Sequence, residues 1–403
     1  MEQHFTDKNL ELAELGKKYV FDTYNRFPIS LVKGNGMYLF DSNEKQYLDF
    51  VAGIAVNCLG HNDNGLNQTL LSQAENLIHC SNLYWNEPMI KLAKTLVELS
   101  GLGKAFFCNS GAEAIEAALK LARIKGITTN GAHCTEFISM NKSFHGRTFG
   151  AISATGQPKY HEGFYPLLPG VKHINFNQIA ELEAAINENT CAVLLEPIQG
   201  EGGIVEAQIE YIKQVRELCT KKGITLIFDE IQCGVGRTGK FFAFENYGIK
   251  PDIVVLAKGL AGGFPIGAML ANDETAKYFK PGNHASTFGG NPLACHVSNY
   301  VVNEVIKLLD NVIEGGVYLK ESLNKLASKY DKLILECRGF GYMQGVEFKF
   351  PVKNLIANLI EKGILTVSAG DNVLRIVPPL ICTKKEIDVF LFELESYLNK
   401  YEN

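Results

Sequence analysis

The segment Thr225–Gly267 reads TLIFDEIQCGVGRTGKFFAFENYGIKPDIVVLAKGLAGGFPIG. It holds two short apolar runs, TLIFD and IVVLAK, and each ends on an ionisable residue, Asp229 in the first and Lys258 in the second. Runs this short, rich in β-branched residues and stopped by polar or glycine turn signals, fit strands of a buried parallel sheet better than helices. In open α/β sheets ligands occupy the crevice outside the carboxyl ends of the strands. An acid and an amine at two such ends therefore mark a candidate site. The spacing, 258 − 229 = 29 residues, leaves room for one crossover.

Two chemistries use such a pair. In one, Lys258 forms a Schiff base with pyridoxal phosphate (PLP), and Asp229 pairs with the pyridinium nitrogen so that the ring acts as an electron sink. In the other, LIFDE ends a strand that holds Mg2+ in a nucleotide hydrolase. Gly234–Lys240, GVGRTGK, matches the first seven positions of a phosphate-binding loop. Phe241 stands at the eighth, where that chemistry needs a Ser or Thr hydroxyl on the metal. The segment also follows the LIFDE strand, whereas in such hydrolases the loop precedes it.

The chain has 403 residues, 46% hydrophobic and 21% charged, which suits a globular protein of two or three domains. Its formal net charge of −5 is spread without a basic run, so neither nucleic acid nor an anionic membrane surface is an expected partner. No apolar stretch approaches a membrane span and the N-terminus has no apolar targeting core, so a cytoplasmic location is expected. The 10 cysteines are scattered, without CxxC pairs or a histidine spacing suited to zinc. They read as small buried hydrophobes in a reducing compartment, and no metal site is expected.

Working outward from the central segment, residues 5–21 read as an amphipathic helix and residues 33–50 as an antiparallel meander. Residues 51–61, VAGIAVNCLGH, are too glycine-rich and irregular for a helix face; their backbone is expected to pass close to a ligand or another chain. Helices are expected near 65–80 and 88–100. Residues 104–126 read as a strand, a turn at Asn109, Ser110 and Gly111, and a helix stopped by Gly126. A Ser-Gly turn opening a helix offers free N–H groups and the positive end of the dipole, a cup for one phosphate. No GxGxxG is present, so a dinucleotide fits poorly.

After a strand at 136–140, the segment NKSFHGRT (141–148) offers Phe144 to stack on a flat ring and Arg147 to grip a carboxylate. CAVLLEPIQGEGG (191–203) ends a strand at Glu196-Pro197 and carries Glu201 in a glycine-rich turn. Five strand ends thus converge on one edge. Beyond Asn291 the reading is α+β, with a helix to about 309, another across 317–329, strands at 333–338 and 345–349, and Arg375 on a strand in LRIVPPL.

The motifs GIAVNCLGH, NSGAEAIEAALKLAR, SFHGRT, EPIQGEGG, FDEIQCGVGRTG, LAKGLAGGFPIGA, STFGGNPLA and LRIVPPL together resemble the class III (ornithine-type) aminotransferases of PLP fold type I. The resemblance covers about residues 24–379. It implies an α/β fold with a mostly parallel central sheet in a large PLP-binding domain, 56–290, and a smaller α+β domain built from 1–55 and 291–403. It implies Lys258 as the Schiff-base lysine, Asp229 as the pyridinium partner and Gln232 at the ring hydroxyl. Ser110, Gly111 and Ala112 would cup the phosphate, Phe144 and Ile231 would sandwich the ring, and His145 would join the cofactor contacts. It further implies a homodimer with shared sites, in which Thr287 of one chain reaches the phosphate of the other, with 51–61 and SNLYWNEP (81–88) at the interface. Asn62-Asp63 depart from the small residue and proline usual there, which is expected to alter the local turn and not the chemistry.

The family pattern also implies the substrate contacts. Arg147 would hold the donor's distal carboxylate, with Ser286 nearby, and Glu201 would cover Arg375 until an α-carboxylate displaces it. Ile54 stands where ornithine-specific members resemble one another in a Tyr that contacts a free α-amino group. An aliphatic side chain there suits an acylated nitrogen, and excludes ornithine better than it excludes 4-aminobutyrate. The implied reaction moves the δ-amino group of N2-acetyl-L-ornithine to 2-oxoglutarate, giving N-acetyl-L-glutamate 5-semialdehyde and glutamate in arginine biosynthesis. Succinylornithine, 4-aminobutyrate and ornithine are the alternative donors.

Overall fold

Seven strands form the central sheet of the computed structural model, which describes residues 7–402. Their order is Lys104–Cys108, Gly267–Ala271, Ile253–Leu256, Thr225–Asp229, Thr190–Leu195, Glu136–Met140 and Val171–Ile174. Only Gly267–Ala271 runs against its neighbours, pairing antiparallel on both sides, so the other six point their carboxyl ends to one edge. The four inner strands from Gly267–Ala271 to Thr190–Leu195 are buried at every residue, as their continuous apolar runs require.

Helix Gly111–Asn130 packs Ala114, Ile115, Ala118 and Ala122 beneath this sheet. It does not stop at Gly126. A Cβ at Gly126 would lie 2.6 Å from that of Cys191 and 2.9 Å from the Cys134 carbonyl oxygen, so this glycine permits close helix–sheet approach. The stop is Gly131, at φ 106°. A second correction concerns Pro292–Lys329, one continuous helix of 38 residues where the sequence reading breaks it after 309. At Gly315 a Cβ would meet the Tyr342 hydroxyl at 1.9 Å, and at Gly316 the Gly341 Cα at 2.5 Å; both glycines seat the helix on the loop 341–342.

The N-terminal helix spans Lys8–Tyr19; the start of the expected range, residues 5 and 6, lies outside the described residues. The meander Leu31–Asn35, Tyr38–Asp41 and Gln46–Asp49 is antiparallel as read, and Ile364–Leu365 extends it from the far end of the chain. Arg375 sits on Val373–Ile376, in a second small sheet with Ile334–Phe340, Met343–Phe348 and Val367–Ser368.

GVGRTGK is not a phosphate loop. Gly236 and Gly239 take left-handed conformations, φ 83° and 87°, and pack against Val305 and Ile313 of the long helix. Arg237 is buried between them and donates to the carbonyl oxygens of Tyr342 and Pro378. Among the described residues no helix is long and apolar enough to cross a membrane.

Candidate active site

A pocket of about 310 Å³ opens at the carboxyl edge of the sheet. Lys258, Asp229, His145, Phe144, Ile231 and Gln232 line it, together with the turn Ser110, Gly111 and Ala112. The edge is thus where the sequence puts its chemistry, because each of these residues ends a strand, lies within five residues of a strand's carboxyl end, or opens the helix after one.

Asp229 ends its strand and is buried. Its Oδ1 accepts the Ile231 N–H at 3.0 Å, and its Oδ2 accepts from His145 Nδ1 at 2.7 Å, so the carboxylate is held from both sides. Lys258 begins a short 3-10 turn, Lys258–Ala261, with φ 44°, a conformation that costs energy for any residue with a Cβ. Burial lowers the pKa of its ammonium. Glu201 opposes that shift and Arg375 adds to it.

Ser110 caps helix Gly111–Asn130 by accepting the Glu113 N–H at 3.3 Å. The N–H groups of Gly111 and Ala112 then have no acceptor a turn back in the helix and carry the positive end of its dipole. Small residues keep this cradle open, since a Cβ at Gly111 would meet Ile231 at 2.8 Å and one at Gly267 would meet the Ser110 carbonyl oxygen at 2.3 Å. An anionic group attached to a flat ring fits the chemistry of this lining, which brings together the free N–H groups of a helix start, the aromatic Phe144, the aliphatic Ile231, a carboxylate and an amine.

Glu201 and Arg375 lie just beyond the lining and are tied to it through Gln232. Arg375 Nη1 donates to Glu201 Oε1 and sits 3.1 Å from Gln232 Oε1, while Gln232 Nε2 donates to Glu201 at 3.3 Å. Burial alone would raise the Glu201 pKa; the charge and hydrogen bond of Arg375 reverse that and leave it lowered. The remaining expected residues are not brought into the pocket by this chain. Arg147 is exposed, its guanidinium 3.9 Å from the Tyr160 ring centre and 5.6 Å from that of Phe144. Ser286 accepts from Asn109 Nδ2 at 3.3 Å, one step outside, and Thr287 and Ile54 are exposed.

Glu196 has no role in the sequence reading beyond closing a strand. It is buried, and its two oxygens accept the N–H groups of Phe144 at 3.0 Å and Gly200 at 3.2 Å, joining the ring-stacking turn to the Glu201 turn. Burial, and after it the charge of Asp229, push its carboxyl well above the usual range. The signal was present as an acid ending a fully apolar run. Val56 and residues 263–266, GFPI, also line the pocket. The Asn62-Asp63 departure has a local use: Asn62 is left-handed at φ 56°, and Asp63 caps the next helix by accepting the Leu66 N–H at 2.7 Å.

An acetylornithine aminotransferase of Caldanaerobacter subterraneus subsp. tengcongensis is 53% identical over 387 residues, 95% of this chain and 98% of the relative. A Toxoplasma gondii ornithine aminotransferase, with PLP at partial occupancy in its active site, superposes at a TM-score of 0.94 with 32% identity, covering 99% of this chain and 96% of its own. The N-acetylornithine aminotransferase of Stenotrophomonas maltophilia superposes at 0.82 with 34% identity, over 96% and 98%. The Aminotransferase class-III family model matches residues 19–398, and the chain belongs to that family.

Proposed function

We propose that this enzyme is a PLP-dependent aminotransferase that moves the δ-amino group of N2-acetyl-L-ornithine to 2-oxoglutarate, giving N-acetyl-L-glutamate 5-semialdehyde and glutamate. The observation that carries the reading is Lys258 and Asp229 lining one pocket, with the Glu201–Arg375 pair beside it. The acetylornithine aminotransferase that is 53% identical over nearly the whole length supports the acylated donor.

In this reading Ser110, Gly111 and Ala112 would hold the phosphate of PLP, Phe144 and Ile231 the ring faces, Gln232 the ring hydroxyl, Asp229 the ring nitrogen and Lys258 the aldehyde carbon. Bound there, PLP supplies a carbonyl carbon for amine exchange and a ring that takes up the charge left when a substrate C–H bond breaks. Lys258 Nζ then takes the proton from the amine-bearing carbon of the donor. Burial lowers its pKa, so more of it is neutral near pH 7 than of an exposed lysine. Asp229, held by His145 and the Ile231 N–H, presents a fixed charge to the ring nitrogen. Arg147, exposed outside the lining but beside Phe144, would receive the donor's distal carboxylate. Glu201 covers Arg375 while an ω-amine reacts and leaves it when glutamate or 2-oxoglutarate brings an α-carboxylate.

The same reading makes the protein a cytoplasmic homodimer with a large domain, 56–290, and a small one from 1–55 and 291–403. Pairing of Ile364–Leu365 with Gln46–Asp49 supports the joining of the two end segments. Leu83 and Trp85, inside the 81–88 segment that would be shared, and Phe288 are large, apolar and exposed, and Phe288 adjoins Thr287, which would reach the partner's phosphate site.

The test is kinetic and spectroscopic. Purified protein should carry a visible absorbance band that acetylornithine and glutamate each bleach, and Lys258→Ala should abolish turnover. A higher kcat/KM for ornithine or 4-aminobutyrate than for acetylornithine would overturn the substrate assignment.

A further inference from the structure

Ala52, Gly53, Ile54 and Ala55 all have positive φ, at 50°, 64°, 65° and 61°, so the backbone makes one left-handed helical turn. That hand is disfavoured for residues with a Cβ, and three of these four have one. Something outside the turn must hold it. Asp49 does so from the end of the preceding strand: its Oδ1 accepts the Val51 N–H at 2.8 Å and the Ala52 N–H at 2.9 Å, the first donors of the turn. Its Oδ2 is 2.7 Å from His61 Nε2, which donates to it. His61 is itself fixed by two backbone hydrogen bonds with Gly36, each 2.8 Å. Gly34 makes the room, because a Cβ there would lie 2.5 Å from the His61 Cβ.

Just beyond the turn, the chain meets the segment that carries the lysine. Cys58 Sγ donates to the Gly259 carbonyl oxygen at 3.2 Å, and Val56 lines the pocket that holds Lys258. Asp49 and His61 do not line that pocket, yet they hold the segment that carries Ile54 and Val56 past it. We infer that Asp49 and His61 are positioning residues for the amino donor, fixing donor selectivity by holding the left-handed turn against the Lys258 turn. The inference rests on the ω-amine reading above. The acceptor and its glutamate product use Arg375, which sits on a different strand, so disturbing the turn should weigh on the donor half of the reaction.

The two half-reactions are measured separately on the holoenzyme, from the bleaching and return of the cofactor band. Asp49→Ala should raise the donor KM about tenfold, as expected for losing one well-placed contact, with kcat and the glutamate half-reaction within about twofold. The acetylornithine to ornithine ratio should shift by a similar factor. Asp49→Asn keeps an oxygen for the Val51 and Ala52 N–H groups and should restore most of the selectivity. Gly34→Ala displaces His61 without touching Asp49 and should reproduce the selectivity shift in weaker form; it decides the matter alone if Asp49→Ala does not fold. Equal loss in both halves, or unchanged donor selectivity in a folded variant, overturns the inference. A wild-type enzyme that prefers ornithine would overturn the substrate reading instead, because the shift is measured as a ratio with whichever donor is preferred.

Discussion

The guanidinium of Arg375 is buried, and its nearest carboxylate is Glu201, which reaches it from the glycine-rich turn after the Thr190–Leu195 strand. The Arg375 Nε has no hydrogen-bond partner among the described residues, so the pair leaves part of the cation's capacity unused. Glu201 is the partly exposed member and Arg375 the enclosed one, which makes Glu201 the member free to move. Glu201→Ala should uncover Arg375. The glutamate half-reaction should gain and the acetylornithine half-reaction should lose, with the ratio of their kcat/KM values moving by roughly tenfold or more, since uncompensated burial of one charge is worth several kcal/mol. Single-turnover rates for each half-reaction check this; equal losses in both would sink the covering role.

A second carboxylate ties stability to pH. Glu230 is fully buried and accepts the N–H groups of Ala243 at 2.6 Å and Phe244 at 2.7 Å. Burial pushes its carboxyl up to about 8 from an ordinary 4.5. Between those values the folded chain keeps a proton that the unfolded chain has released, so this residue makes stability fall as pH rises across the window. Glu230→Gln cannot ionise. Its melting temperature should vary less than the wild type's between about pH 5 and 8; parallel curves would show that Glu230 does not titrate there.

One substitution should act in opposite directions at two glycines. Replacing a helical glycine by alanine favours the helix by about 1 kcal/mol where there is space. At Gly16, in the Lys8–Tyr19 helix, a Cβ meets nothing within 4 Å, so Gly16→Ala should stabilise. At Gly316 the Cβ would lie 2.5 Å from the Gly341 Cα, and Gly341 is itself packed on the Arg237 and Thr238 backbone and cannot retreat. Overpacking of this kind costs about 1–3 kcal/mol, so Gly316→Ala should lower the melting temperature despite the better propensity. Denaturation curves that moved the same way for both would contradict the packing argument.

These glycines also show where sequence stops being informative. Gly126 and the Gly315-Gly316 pair carry the same local signal as Gly131, which does end a helix, and only the neighbour across the gap distinguishes the two uses. The strand ends were legible for the opposite reason: a buried parallel strand must be apolar throughout, so the first ionisable residue after it, Asp229 or Lys258, announces the edge. Glu196 satisfies the same rule, but its partners are backbone groups, that of Gly200 four residues on and that of Phe144 far back in the sequence, and no side-chain pattern reveals them. The left-handed turn at 52–55 was legible only as irregularity. Its hand depends on Asp49 and His61, and nothing in GIAVN specifies either partner.

Ile54 occupies that turn at φ 65°, an unusual place for a β-branched side chain. Tyrosine is unbranched at Cβ, so Ile54→Tyr should not add backbone strain, and the exposed position leaves space for the ring. Its hydroxyl could then meet the charged α-ammonium of ornithine, a contact worth about 1.5–3 kcal/mol when one partner is ionised. An acetylated nitrogen carries no charge and gains nothing comparable, while its acyl group must share space with a larger ring. Ile54→Tyr should therefore raise kcat/KM for ornithine by about tenfold or more and lower it for acetylornithine, leaving the glutamate half-reaction unchanged. Steady-state kinetics with the three substrates reads this directly. An ornithine rate that stays at the wild-type level in a folded, cofactor-loaded variant would mean that Ile54 does not face the donor's α-nitrogen, and would leave the acyl preference to other residues.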